Sequence, residues 1–140
     1  MTAYLDASVI LRIVFVEPAP LVEWDAITKG WTSALTRVEC ARTLDRIRHL
    51  KLAPGDATGQ RLPVLERILE SLQTVELDAS ILTRACQPLP VPLGTLDALH
   101  LASALAWREQ HSDYDFAFAT HDRALGKAAR TMGLTVIGTD

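Results

Sequence analysis

Short apolar runs alternate along this chain with longer stretches whose apolar residues recur every three or four positions. The run Thr2–Leu5 predicts a strand, and Ala7–Val16 behind it predicts a helix, with Asp6 at the junction. Pro18 and Pro20 break that helix, because proline has no amide hydrogen to give to the preceding turn. Leu21–Thr28 predicts a second, short helix stopped by Gly30, and Trp31–Ser33 a short strand. The helical pattern is strongest in Ala34–Leu50, where Leu35, Val38, Leu44, Ile47 and Leu50 recur with Arg and Asp between them. Ala53–Gly59 is expected to be a loop. Pro63 then suits the first turn of a helix running to about Leu72, a start near Pro54 with a kink being the alternative. Thr74–Leu77 alternates as a strand, and a helix follows from Asp78 or Ala79 to about Cys86. Pro88, Pro90 and Pro92 make Gln87–Gly94 a stiff extended connector. Thr95 is expected to cap the helix Leu96–Glu109. The chain closes with a strand at Asp115–Ala119, a helix at Thr120–Thr131 stopped by Gly133, and a strand at Leu134–Ile137.

Strands alternating with helices predict an α/β domain whose mainly parallel sheet is covered on both faces. In such folds ligands gather beyond the carboxyl ends of the strands. The length of 140 residues predicts one domain, 1–140, since two cores would be too small to stand alone. A hydrophobic fraction of 49% with 22% charged residues excludes wholesale disorder. No apolar run approaches the ~18 residues of a membrane helix. The first stretch carries an acid, Asp6, and neither a basic leader nor a small-residue cleavage site, so no secretory signal is expected. Cys40 and Cys86 lie far apart and form no CxxC, which predicts neither a zinc site nor a disulfide framework and fits a reducing cytoplasm. The formal charge is −3, from 14 basic and 17 acidic residues. That balance gives no support to non-specific coating of nucleic acid, but it leaves room for an enzyme that works on nucleic acid through clustered acids.

The acids at the strand ends are the candidates for such chemistry. Asp6 follows the first strand and Asp122 follows DFAFA in the sequence THD, where Thr120 or Asp122 could also be an ordinary helix cap. Ser8 could equally cap or bind. Asp97 opens the helix LDALHLASALAW, which is apolar on nearly every side and therefore expected to be buried. The helix dipole favours an acid there by at most ~1 kcal/mol. A carboxylate stripped of water without a partner costs several kcal/mol, so a deeply buried Asp97 needs a donor or a cation. Glu39 lies in a helix that can flank the same edge; alone it would pass for a solvated acid. Carboxylates converging on one edge repel one another, and hard divalent ions such as Mg²⁺ or Mn²⁺ relieve that repulsion. Such a site suits phosphoryl chemistry.

At these residues the chain resembles the PIN domain, and within it the VapC-type ribonuclease toxins of bacterial toxin–antitoxin pairs. The resemblance spans essentially the whole chain and rests on YLDAS, TRVECAR, GTLDALHLASAL and FATHDRAL, the last two in their order and separation being the most specific. It implies a three-layer α/β/α fold and a metal-dependent endoribonuclease site using Mg²⁺ or Mn²⁺. Asp6, Glu39, Asp97 and Asp122 match the family's metal-binding and catalytic acids, and Ser8 and Thr120 match its supporting hydroxyls. Ala7 stands where such toxins often carry Thr, which removes a hydroxyl but no ligand. The family further implies an RNA substrate, a homodimer and inhibition by a cognate antitoxin.

The mechanism expected from these residues is in-line hydrolysis by metal-activated water, with Glu39 or Asp122 orienting the water. Arg42 and Arg46 lie on roughly one helical face with His49, within the basic stretch Arg37–Lys51, and are candidate RNA contacts. Arg12 and Arg123, close in sequence to the acids, are alternative phosphate clamps. An ordinary solvated helix face is the competing reading of the first pair. His100, one turn after Asp97, and His121 are nearby histidines, the former more in keeping with a core role. Trp24, Trp31 and Trp107 fit packing better than base stacking. The chain has no GxxxxGK[ST], no GxGxxG after a strand, no second acid two residues after Asp6 and no nucleophile motif. P-loop, dinucleotide-binding, phosphoaspartyl and triad chemistries are thereby excluded. The alternatives left are a catalytically silent RNA- or protein-binding module, and an RNA-processing nuclease without an antitoxin.

Overall fold

Strand β1 (Thr2–Leu5) is buried along its whole length, as a central strand covered on both faces must be. It pairs in parallel with β2 (Lys29–Ser33) on one side and β4 (Phe116–Ala119) on the other. β3 (Gln73–Val75) and β5 (Thr135–Ile137) complete an all-parallel sheet of order β3-β2-β1-β4-β5. The computed structural model describes residues 1–50 and 57–139.

The period-two geometry of the strands divides the core. Tyr4 and Phe118 are register partners and stack 5.5 Å apart on the face covered by α5 (Thr95–Gln110) and α6 (Arg123–Thr131), where Leu101, Leu105, Trp107 and Leu125 join them. Leu5 and Ala119, the next pair, face the opposite way and meet Val9 of α1 (Ala7–Val14) and Leu21. On that face α2 (Ala34–Leu50) and α3 (Ala57–Ser71) pack against α1 through Ile10, Val14, Cys40, Leu44, Leu65 and Leu69. The short α4 (Ala79–Ala85) packs on α5, which makes three layers, α/β/α. Trp107, buried, stacks on His111 and Phe116, and Trp31 packs against it, so these indoles serve the core.

Several boundaries differ from those the sequence predicts. Only a 3₁₀ turn, Trp24–Ala26, forms within Leu21–Thr28. Gly30 lies inside β2 opposite Ala3 instead of ending a helix; a Cβ there would come within 2.3 Å of the tip of the Leu72 side chain, which would have to turn aside. Helix α3 begins at Ala57, which places Ala57–Gly59 in helix and Pro63 inside it. Packing of Leu65 and Leu69 against α1 and α2 outweighs the hydrogen bond that the proline forfeits. The rest of the loop expected over Ala53–Gly59, with Pro54 and Lys51, lies outside the described residues. Thr95 is the first residue of α5 rather than its cap; Gly94 takes the cap position without a side-chain bond. Helix α6 starts at Arg123, with Asp122 as its cap and Thr120 outside it.

Helix α1 stops at Val14, two residues early. The Glu17 amide reaches the Arg12 carbonyl at 2.9 Å and the Val16 amide reaches that of Ile13, a Schellman closure. α6 closes identically, Leu134 to Ala129 and Gly133 to Arg130. The left-handed residue is Gly133 in α6 (φ 81) but the β-branched Val16 in α1 (φ 52). Ala19 (φ 55) repeats the unusual conformation three residues on. Such residues store on the order of 1–3 kcal/mol of strain.

Two expectations follow. Val16→Gly should stabilise the protein by about 1 kcal/mol, read as an upward shift of the urea midpoint at unchanged m; a downward shift would place the strain elsewhere. Burial, reinforced by the nearby Glu39 and Asp6 carboxylates, pushes the Cys40 thiol up to about 12, whereas Cys86 is exposed. Thiol titration near pH 8 should therefore label Cys86 alone in the native protein and both cysteines in denaturant.

Candidate functional site

The strand order reverses at β1: the chain builds outward through β2 and β3, then crosses back to β4 on the other side. A crevice opens at such a switch point, beyond the carboxyl ends of β1 and β4. Asp6 and Asp122 follow those two strands.

Asp6 is buried and caps α1, its Oδ1 accepting from the Ser8 amide. Its Oδ2 accepts from the Thr120 hydroxyl. That same hydroxyl accepts the Asp122 amide at 3.0 Å, so Thr120, wholly buried, ties the two acids together by donating to one and accepting from the other. Asp122 caps α6 through Oδ1, which accepts from the Leu125 amide at 2.8 Å. Both aspartates are thus true helix caps and also walls of the crevice. Ser8 Oγ accepts the His121 amide at 2.9 Å, fastening the start of α1 to the loop after β4.

Asp97 stands in the first turn of α5 and is partly buried. Three helix N-termini, those of α1, α5 and α6, therefore bring their positive ends to these acids. Glu39 arrives from α2 on the far side. Its Oε1 lies 2.6 Å from His100 Nε2, and His100 Nδ1 lies 2.9 Å from the Tyr4 hydroxyl. His100 is buried one turn along α5 from Asp97. Burial opposes its charged form, but the hydrogen bond and charge of Glu39, with Asp6 and Asp97, outweigh burial and lift its pKa above the usual histidine range. Sequence reasoning left His100 and Tyr4 outside the site; the signal for His100 was its position on the same turn-repeat as Asp97.

Asp97 reports the convergence. Its pKa is raised first by desolvation, then by the charges of Asp122 and Asp6 and, more weakly, Glu39. Four carboxylates thus share one field. Their oxygens match a hard divalent cation, and Asp97 has no hydrogen bond of its own among the described residues. In donor chemistry the residues fit such an ion. As the side chains stand, however, no three His, Cys, Asp or Glu among the described residues are close enough to hold one. Asp6 and Asp122 are committed to caps and to Thr120, and Glu39 to His100, while the Asp97 carboxylate has no partner among the described residues.

The candidate arginines fall on both flanks. Arg42 and Arg46 line a shallow groove of about 410 Å³ with Glu39, Leu35, Val38, Thr43 and Leu96. Asp45 draws Arg42 (3.3 Å), Arg48 (2.7 Å) and His49 (3.6 Å) to itself, which leaves Arg46 the one cation of that face with no ion pair among the described residues. Arg37 pairs with Glu66. Arg12 and Arg123 lie on the opposite flank, in a cavity with His121.

Removing the charge of Asp97 should relieve the shared repulsion. Asp97→Asn is expected to raise the thermal midpoint of the metal-free protein at pH 7. Because folding raises this pKa above its ordinary 3.8, the penalty is complete above the folded-state pKa and fades as pH falls toward that ordinary value. The gain from the variant should shrink in the same window; a midpoint unchanged at pH 7 would mean that solvent already screens the acids from one another.

Residues 3–131 match the PIN domain family. The chain is 31% identical over 135 residues to Ribonuclease VapC46 of Mycobacterium tuberculosis, covering 96% of this chain and 95% of that protein. It is 32% identical over 140 residues to Ribonuclease VapC35 of the same species, covering 96% and 94%. In three dimensions it resembles the crystal structure of VapBC2 from Rickettsia felis bound to a promoter DNA fragment, with a TM-score of 0.67 at 12% identity over 97% of each chain. It also resembles FitAcB from Neisseria gonorrhoeae, with a TM-score of 0.58 at 20% identity over 96% of each chain. At such identities these two likenesses speak for the fold.

Proposed function

The chain belongs to the PIN domain family, and from that premise we propose that it is an endoribonuclease, the toxin of a toxin–antitoxin pair, dependent on Mg²⁺ or Mn²⁺. The observation that carries the reading is the shared field of Asp6, Glu39, Asp97 and Asp122 at the switch point of the sheet. Relatives named as ribonucleases, aligned over nearly their full length, supply the substrate class. The likeness to relatives named VapC is the support for a cognate antitoxin as the protein partner and for a homodimer as the assembly.

In this reading Asp6, Asp97, Asp122 and Glu39 hold the metal. When bound, it supplies Lewis-acid activation of water and charge neutralisation at the leaving oxygen. The chain supplies the rest. Thr120 fixes the Asp6 carboxylate and the turn carrying Asp122, so both acids are pre-oriented. His100, braced by Tyr4, holds Glu39 at the edge of the crevice. Glu39 or Asp122 orients the attacking water in line with the scissile phosphodiester and takes its proton. Arg46 and the opposite cationic flank contact the RNA backbone.

A second reading, a silent binding module, is favoured by one observation: the acids are not gathered at coordinating distance. The partner-free chain incubated with total cellular RNA separates the two. The nuclease reading expects discrete cuts that need Mg²⁺ or Mn²⁺, leave 5′-phosphate and 3′-hydroxyl ends, and fall at least about 100-fold in Asp97→Asn. Ends carrying 2′,3′-cyclic phosphate would refute hydrolysis by activated water. A folded protein that neither cuts nor binds Mn²⁺ through these acids would be the silent module.

A further inference from the structure

Beyond the acids, on the side of β5, lies a cavity of about 570 Å³. Its walls include Arg12 from α1, Arg123 from the start of α6, His121 from the loop after β4, and Gly138 and Thr139 after β5. One acid, Glu23, lines it as well. The cavity adjoins the site directly: His121 sits between Thr120 and Asp122, and its amide is held by Ser8.

Three observations bear on its ligand, and the arginines among them call for an anion. First, Arg12 and Arg123 both line it, and Arg123 has no ion pair among the described residues. Arg12 is oriented by the Ala19 carbonyl at 3.2 Å, with Glu17 only at 3.8 Å. Second, His121 Nδ1 lies 2.9 Å from the Gly138 carbonyl, which can only accept, so Nδ1 carries the proton. His121 Nε2 is then the unprotonated, accepting nitrogen; it is buried and lacks any partner among the described residues, so it suits a ligand hydroxyl beside a phosphate and not the phosphate oxygens themselves. Third, Ala19 on its wall has positive φ, and Arg12 donates to its carbonyl. Strain of this sort persists where the surroundings enforce it, commonly around ligand clamps.

We propose that this cavity is a phosphate subsite, which holds a backbone phosphate of the RNA strand neighbouring the phosphodiester presented to the acids. The inference rests on the nuclease reading for the identity of the strand. Guanidinium forks match phosphate oxygens in pairs, and a cationic pocket beside four carboxylates fixes which way a polyanion can lie across a site that otherwise repels it. The subsite sets register, and sequence is read elsewhere.

The test uses the full chain with Asp97→Asn to prevent cutting, and single-stranded RNA oligonucleotides spanning a mapped cleavage site. Each phosphate in turn is replaced by an uncharged methylphosphonate. One position beside the cleaved bond should weaken binding several-fold, and Arg123→Gln should abolish that position's effect while lowering the salt slope of binding by about 1. A substitution that merely disturbed the fold would weaken every oligonucleotide alike and keep the positional effect. Amide NMR with inorganic phosphate supplies the second readout: shifts are expected at His121, Arg123, Gly138 and Thr139, and their loss in Arg123→Gln. Equal sensitivity at that position in both proteins, or no response to phosphate, overturns the subsite even if RNA is cleaved. Phosphate binding in a chain that neither cuts nor binds RNA refutes the nuclease reading, and with it RNA as the source. Binding of an acidic peptide but not of phosphate overturns the proposal in favour of a protein partner.

Discussion

Four carboxylates of like charge are gathered at one edge of a parallel sheet, and much of the structure around that edge serves to keep them there. Left in a shared, partly desolvated space they would repel one another, and the raised pKa of Asp97 registers first its desolvation and then that repulsion. The fold offsets it by three devices. Helix N-termini of α1, α5 and α6 meet at the acids; Thr120 donates to Asp6 and accepts from the Asp122 amide; His100, backed by Tyr4, faces Glu39. Two of these devices join residues far apart in sequence, and together they hold a negatively charged crevice above the buried core.

The crevice is charged asymmetrically. On the α2 side, Asp45 neutralises most of the basic face, so the groove beside Glu39 is mainly apolar, with Arg46 at its margin. On the β5 side, Arg12 and Arg123 line the cavity together with the left-handed Ala19. A polyanion laid across the acids would meet different chemistry on its two flanks. Such a difference favours one orientation of the strand over the other, since the acids alone attract neither end.

The legibility of the sequence varied with how local the cause was. The five strands and the long helices Ala34–Leu50 and Leu96–Glu109 were visible because periodicity and proline placement act within one element. The misplacements at Gly30 and Pro63 share one origin: each has a strong local preference that another part of the chain overrode, pairing with β1 at Gly30 and packing on α1 and α2 at Pro63. Val16 differs, since the closure of α1 onto it is made by hydrogen bonds to Arg12 and Ile13 within the same segment. Asp6, Asp97 and Asp122 were readable as candidates because strand ends and helix starts are local signals. Their joint field was not, because it depends on distances across β1, β4 and α5.

The order of apolar and polar residues by itself determined an α/β chain with acids at strand and helix ends, since side-chain period and helix capping need only near neighbours. The tertiary structure alone decided that the strand order turns at β1, that Glu39 from a distant helix meets His100, and that Arg12, His121 and Arg123 line one cavity. Those juxtapositions join residues up to 114 positions apart, as between Thr120 and Asp6. Contact at such separation comes from crossover connections and layer packing, which no local pattern of residues encodes.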